Sequence, residues 1–150
     1  MVPFPGAFQI PHKPVTMATD ATAVGYVDTL DFDYCIMTVF GPTHAANNTP
    51  AVMTISCGTN TVSSSQTDIT ALVGGGVGGF TIPASTTVVT SGYAVMFLID
   101  CRGRERYLGL EYTPGTAATH TMACIAELFR GDELGLTAAK HQVNGIFADR

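Results

Sequence analysis

The sequence predicts an all-β domain: a β-sandwich, jelly-roll in topology, with extended arms at both ends. Three observations predict it. Charged residues make up only 13% of the 150 residues, while Gly (16), Pro (8), Ser, Thr, Ala and Val are abundant. That mixture suits pleated strands and tight turns better than surface helices. Short runs alternate at period two, most clearly where Met53, Ile55 and Cys57 interleave with Thr54 and Ser56, the pattern of a strand with one wet face. About seven or eight such runs, joined by irregular turn-rich connections and with no convincing long helix, are what a sandwich requires. The length suits one domain with a real core, divided into an N-terminal arm at 1–15, a sandwich at 16–130 and a C-terminal arm at 131–150.

The elements follow in chain order. Pro3, Pro5, Pro11 and Pro14 fix φ and remove backbone donors, so 1–15 reads as an arm outside any regular ladder. Its Phe4, Phe8 and Ile10 are apolar anchors for another surface. Strands are expected at 21–29, 34–40 and 52–57, each short and rich in β-branched or aromatic residues. The link 41–50, with Pro42, Pro50 and Asn47-Asn48, is strong turn chemistry. Residues 68–72 suit one helical turn, 73–79 a glycine-rich surface loop, and 80–82 and 86–90 brief edge strands. Runs 93–100 and 106–113 read as a hairpin, with Gly103 supplying a positive φ in its turn. A last core strand at 119–129, apolar on both faces, precedes the second arm, where Leu136, Val143, Ile146 and Phe147 are possible anchors.

Charge and cysteine usage exclude several classes of function. A net charge of −5 and no dense basic stripe oppose a phosphate backbone, so nucleic acid is not an expected partner. Cys35, Cys57, Cys101 and Cys124 are far apart, without the C-x-x-C spacing of zinc or redox sites. They read as reduced, buried thiols suited to a reducing cytoplasm. No signal-like segment and no apolar run of about 18–20 residues is present, so a soluble, unsecreted protein without a membrane partner is expected.

Each candidate for chemistry has a plainer reading. His12, His44, His120 and His141 are scattered, with neither the i, i+4 nor the His-x-His spacing that puts two imidazoles on one metal. Asp28, Asp31 and Asp33 resemble a calcium loop but lack its turn glycine and closing Glu, so a solvated turn is the expectation. The run 74–79 lacks the Gly-Lys-Ser/Thr ending of a phosphate-binding loop, and Ser63-Ser64-Ser65 lacks a nucleophile elbow. No enzyme, metal or cofactor is expected.

Three of the seven cations, Arg102, Arg104 and Arg106, crowd the turn after residue 100, and no Lys or Arg lies between Lys13 and Arg102. Arginine suits bidentate capture of an anion. However, Asp100, Glu105 and Glu111 stand close enough in sequence to be their partners, which favours ion pairs within the subunit or across an interface. The segment 98–113, in which an apolar strand ends in a turn and Arg106, Tyr107, Leu108 and Leu110 begin the next strand, followed by the Ala-rich run 122–128, resembles small head proteins of tailed bacteriophages. The Asp-rich approach to 34–40 and Thr67-Asp68-Ile69 fit the same pattern, while 74–79 stands where that family has a Trp-containing stretch.

The resemblance covers residues 20–130 and implies a capsid decoration or cement protein. Such a protein is a jelly-roll subunit, a dimer or trimer, on the outer capsid surface of a virion. Its partner is the major capsid protein, and it bridges neighbouring shell subunits. Phe4, Phe8, Ile10, Arg102, Arg104, Arg106, Ile146 and Phe147 are then the expected contacts to capsid or neighbouring copies. Two other uses of the fold are a receptor- or glycan-binding module of a fibre or spike and a main shell subunit. The chain lacks Trp, which disfavours the first, and its long cation-free span suits an outer face better than one turned to a genome. An enzyme of cupin type would need clustered histidines.

Overall fold

The structure, a computed structural model, describes residues 6–18, 21–41, 50–82, 93–115, 120–130 and 145–149. These form nine strands: β1 Gly6–Met17, β2 Ala23–Asp28, β3 Tyr34–Gly41, β4 Val52–Gly58, β5 Gln66–Val73, β6 Tyr93–Asp100, β7 Tyr107–Thr113, β8 His120–Phe129 and β9 Gly145–Asp149. The one helical element described is a 3-10 turn at Ser63–Ser65. One sheet has the order β1-β8-β3-β6-β9 and the other β2-β7-β4-β5. Strand β1 pairs with β8, β2 with β7, β3 with β6 and β4 with β5, all antiparallel. This is a long antiparallel ribbon folded at β4–β5 and rolled up, and the β3–β8 and β4–β7 pairings close the roll. Two sheets of this order are a jelly roll, as the sequence predicts.

Period-two patterning explains which side of each strand is inside. Cys35, Met37 and Val39 on β3, Val95, Phe97 and Ile99 on β6, and Met122, Cys124, Ala126 and Leu128 on β8 are buried from one sheet. Val27, Met53, Ile55, Leu108, Leu110 and Tyr112 meet them from the other in one continuous core. Each fully buried large side chain contributes about 1.5–3 kcal/mol relative to an exposed one, so this layer holds the sheets together. Phe80 packs edge-on against Phe97 with ring centroids 5.4 Å apart. The four cysteines are free thiols, with Cys35, Cys101 and Cys124 buried and Cys57 half-buried.

Several sequence expectations need correction. Residues 1–15 are not an arm from end to end, because β1 is an edge strand from Gly6 onward. Its prolines are tolerated because the ladder with β8 shifts register between Gln9 and His12 and again between His12 and Val15, the intervals that contain Pro11 and Pro14. An edge position needs fewer backbone donors. The sandwich therefore begins at residue 6 rather than 16. Nor is 145–149 an arm: β9 runs parallel to β6, with Ile146 opposite Met96 and Phe147 opposite Phe97. Residues 68–72 lie in strand β5, bulged against β4 between the pairs Thr54–Val73 and Ser56–Asp68. The expected strand at 86–90, and Phe4, Leu136 and Val143, lie outside the described residues.

The largest correction concerns 93–113. Strand β6 belongs to the five-stranded sheet and β7 to the four-stranded one, so the arginine turn is an arch across the sandwich rather than the turn of a hairpin. Both runs are strands, but each finds its partners elsewhere: β6 pairs with β3, and β7 lies between β2 and β4.

Candidate functional site

Two arches stack at one end of the sandwich. Residues 29–33 carry the chain from β2 to β3, and 101–106 carry it from β6 to β7, each crossing between sheets. They are joined by backbone hydrogen bonds. The Thr29 amide and hydroxyl both donate to the Arg106 carbonyl (2.9 and 2.6 Å), and the Cys101 amide donates to the Asp33 carbonyl (2.8 Å). The Asp33 amide donates in turn to the Phe129 carbonyl (2.9 Å). Tight geometry is met locally: Asp31 takes φ 68° and Gly103 φ 78°, left-handed values that Asp tolerates and Gly adopts freely. The positive φ at Gly103 is as expected from the sequence.

The arginines brace this end. Arg102 forms a bidentate pair with Asp100, Nε to Oδ1 at 2.9 Å and Nη2 to Oδ2 at 2.7 Å, with its guanidinium 4.7 Å from the Tyr34 ring centre. Arg106 grips Asp28 in the same way at 2.8 and 2.6 Å and lies 5.0 Å from the Tyr107 ring centre. Arg104 donates from Nε to the Asp100 carbonyl (2.8 Å), and Arg130 to the Asp31 carbonyl (2.6 Å), beside the Phe32 ring. Hydrogen bonds from Arg106 and Arg102 hold the Asp28 and Asp100 carboxyls below the usual carboxylate range, and the same bonds raise both arginines. Asp100 is a partner the sequence suggested. Asp28 was not; its signal is the β2–β7 register, which sets Asp28 opposite Tyr107, and that register requires the topology.

The acidic trio is thus a turn rather than a cation loop. Asp28 also accepts from the Leu30 amide (3.0 Å), and Asp31 and Asp33 use their backbones to hold the arches. No cluster of three or more His, Cys, Asp or Glu with metal-binding geometry occurs among the described residues. Beside the arches, an open groove of about 490 Å³ lies over the β5 bulge, lined by Asp68, Thr70, Cys57, Gly78 and Arg104 among others. Burial pushes the Cys101 thiol up to about 12 and raises Cys35 and Cys124 as well, so these thiols act as apolar side chains.

A second feature lies on β1. Phe8 is 58% and Ile10 53% exposed, although each neighbours a residue turned inward or clamped. Ala7 packs against the core, and the Gln9 side-chain amide donates to the Asp28 carbonyl (2.7 Å) while its oxygen accepts from the Asp28 amide (3.1 Å). Phe8 stands opposite Glu127 on the outer face of the five-stranded sheet, the face on which Phe40 is also 42% exposed next to buried Val39. The expected contact residues therefore separate: Phe8 and Ile10 are presented outward, Arg102, Arg104 and Arg106 are engaged within the subunit, and Ile146 and Phe147 lie along β6. No helix among the described residues is long and apolar enough to cross a membrane. Comparison of the chain with protein-family models, with curated proteins and with solved structures finds no match.

Proposed function

We propose that the protein decorates the outer surface of an icosahedral phage capsid and stabilises the shell by bridging neighbouring capsid subunits. The observation that carries this reading is the outward display of Phe8 and Ile10 on an edge strand, large apolar anchors of the kind that dominate binding surfaces. Support also comes from an interior filled with packed apolar side chains, which suits a jelly roll used as a rigid body rather than as an open cupin vessel. Many copies, as dimers or trimers, each add a small contact energy to the shell, and rupture must break them together. The arch arginines serve this role indirectly, by holding the strand ends that present β1.

Because β1 is part of the sheet, deleting 1–15 would confuse binding with folding, and point changes on the outer face separate the two. Phe8→Ser with Ile10→Ser is expected to leave the melting temperature nearly unchanged and to reduce co-sedimentation with capsids of the cognate major capsid protein by about tenfold or more. Unchanged co-sedimentation of a folded double variant would sink the proposal. A glycan- or receptor-binding role would show instead as retained capsid independence with binding on a glycan array.

A further inference from the structure

Strand β1 is fastened to the sandwich at three places. It ladders with β8, Gln9 clamps the backbone of Asp28 at the end of β2, and the His12 ring stands against Gly25 of β2. The last contact is unusually close. A Cβ placed on Gly25 would stand 2.6 Å from His12 Cδ2, 2.9 Å from Nε2 and 2.6 Å from the Pro11 carbonyl, so only glycine at 25 leaves room for the ring. His12 sits between the two register shifts, paired with Cys124, where the ladder is weakest. Its Nε2 is buried and has no hydrogen-bond partner.

From this geometry we propose that His12 is a pH-operated latch: protonation of its buried Nε2 releases β1 from the sandwich while the remaining strands stay folded. The latch places the neutral ring's proton on Nδ1, so that the second proton goes to Nε2, which faces the β2 backbone at Gly25 with no acceptor to receive it. Burial lowers the affinity of this ring for a proton. The unfolded or released strand then binds protons more readily than the docked one, so docking is fully favourable above the free histidine value of about 6.5 and is lost as pH falls below it.

The described groups facing the ring do not offset this. Lys13 on β1 carries the same sign as a protonated ring, Cys124 on β8 is held neutral by burial, and Tyr26 is a neighbour of Gly25 on β2. Of the carboxylates on β2 and β8, Asp28 is taken by Arg106 and Glu127 stands opposite Phe8 rather than His12. His120, opposite Met17, is the other histidine on the described ladder. Release would bare the hydrogen-bonding edge of β8 and free Phe8 and Ile10 to move with the strand.

Hydrogen exchange of the full chain, corrected for intrinsic rates, tests the latch at about pH 7.5 and pH 5. Protection of the 6–17 amides is expected to fall between them by several-fold, up to about thirtyfold, since each pH unit below the free histidine value of about 6.5 can cost at most tenfold, while that of β3 and β7 holds. His12→Leu and His12→Gln, two non-titrating replacements of different polarity, should each abolish the pH response whatever their effect on basal protection. The proposal is overturned if wild-type β1 protection is unchanged with pH, if β1, β3 and β7 lose protection together, or if both variants respond as wild type does. Loss of the response in His120→Gln alone would likewise overturn it by assigning the effect to the other ring.

Discussion

At the scale of single residues, the arch pairs make a prediction about acid. Asp28 and Asp100 have folded affinities for protons below their unfolded ones because Arg106 and Arg102 bond the ionised form. A depressed carboxylate contributes stability above the unfolded value of about 3.9, and that contribution fades as pH falls through the folded value. Asp28→Asn and Arg106→Ala are therefore expected to lower the melting temperature slightly near neutrality, to leave it unchanged at the acid limit, and so to flatten the fall below about pH 4 by that same small amount. The neutral-pH effect is small because the pair is open to solvent, with side chains 45% and 37% exposed, where water and salt screen the attraction. Melts across about pH 2.5–7 check this; a steep acid limb unchanged in both variants would place the acid-sensitive carboxylates elsewhere.

At the scale of elements, sequence patterning revealed which segments are strands but not which strands are neighbours. The alternation of Met53, Ile55 and Cys57 marks β4 directly, and the apolar runs at 93–100 and 107–113 mark β6 and β7. Reading the last two as a hairpin fails because a six-residue link allows either a hairpin or an arch, and only the rolled topology decides between them. The same limit hid Asp28 as the partner of Arg106. Prolines misled for a different reason: they forbid a regular central strand, yet Pro11 and Pro14 fit an edge strand at its register shifts.

Once in place, β1 is held across the sandwich by Gln9, whose amide imitates a strand partner for Asp28. Gln9→Ala deletes both bonds and leaves the Asp28 amide and carbonyl to water at a half-buried edge. A loss of about 1–2 kcal/mol in urea unfolding is expected, together with faster exchange of the Asp28 amide. A loss below the error of the measurement would show that the clamp follows β1 docking without stabilising it.

The whole molecule rests on the layer between the sheets, and the two faces of the five-stranded sheet can be set against each other with the same residue type. Phe97 is fully buried on β6 and meets Phe80 edge-on across the interior; Phe8 is 58% exposed on the outer side of β1. Truncating Phe97 to Ala removes a large apolar side chain and leaves a cavity that two hydrogen-bonded sheets cannot collapse to fill. About 3–5 kcal/mol is expected to be lost, a large share of the roughly 5–15 kcal/mol by which a domain is stable. Phe8→Ser, by contrast, should stay within about 0.5 kcal/mol. Urea unfolding with an unchanged slope distinguishes a stability change from a change in compactness. A Phe97→Ala loss no larger than that of Phe8→Ser would mean that the sheets do not close on one core. It would also remove the rigid body on which the proposed display of β1 depends.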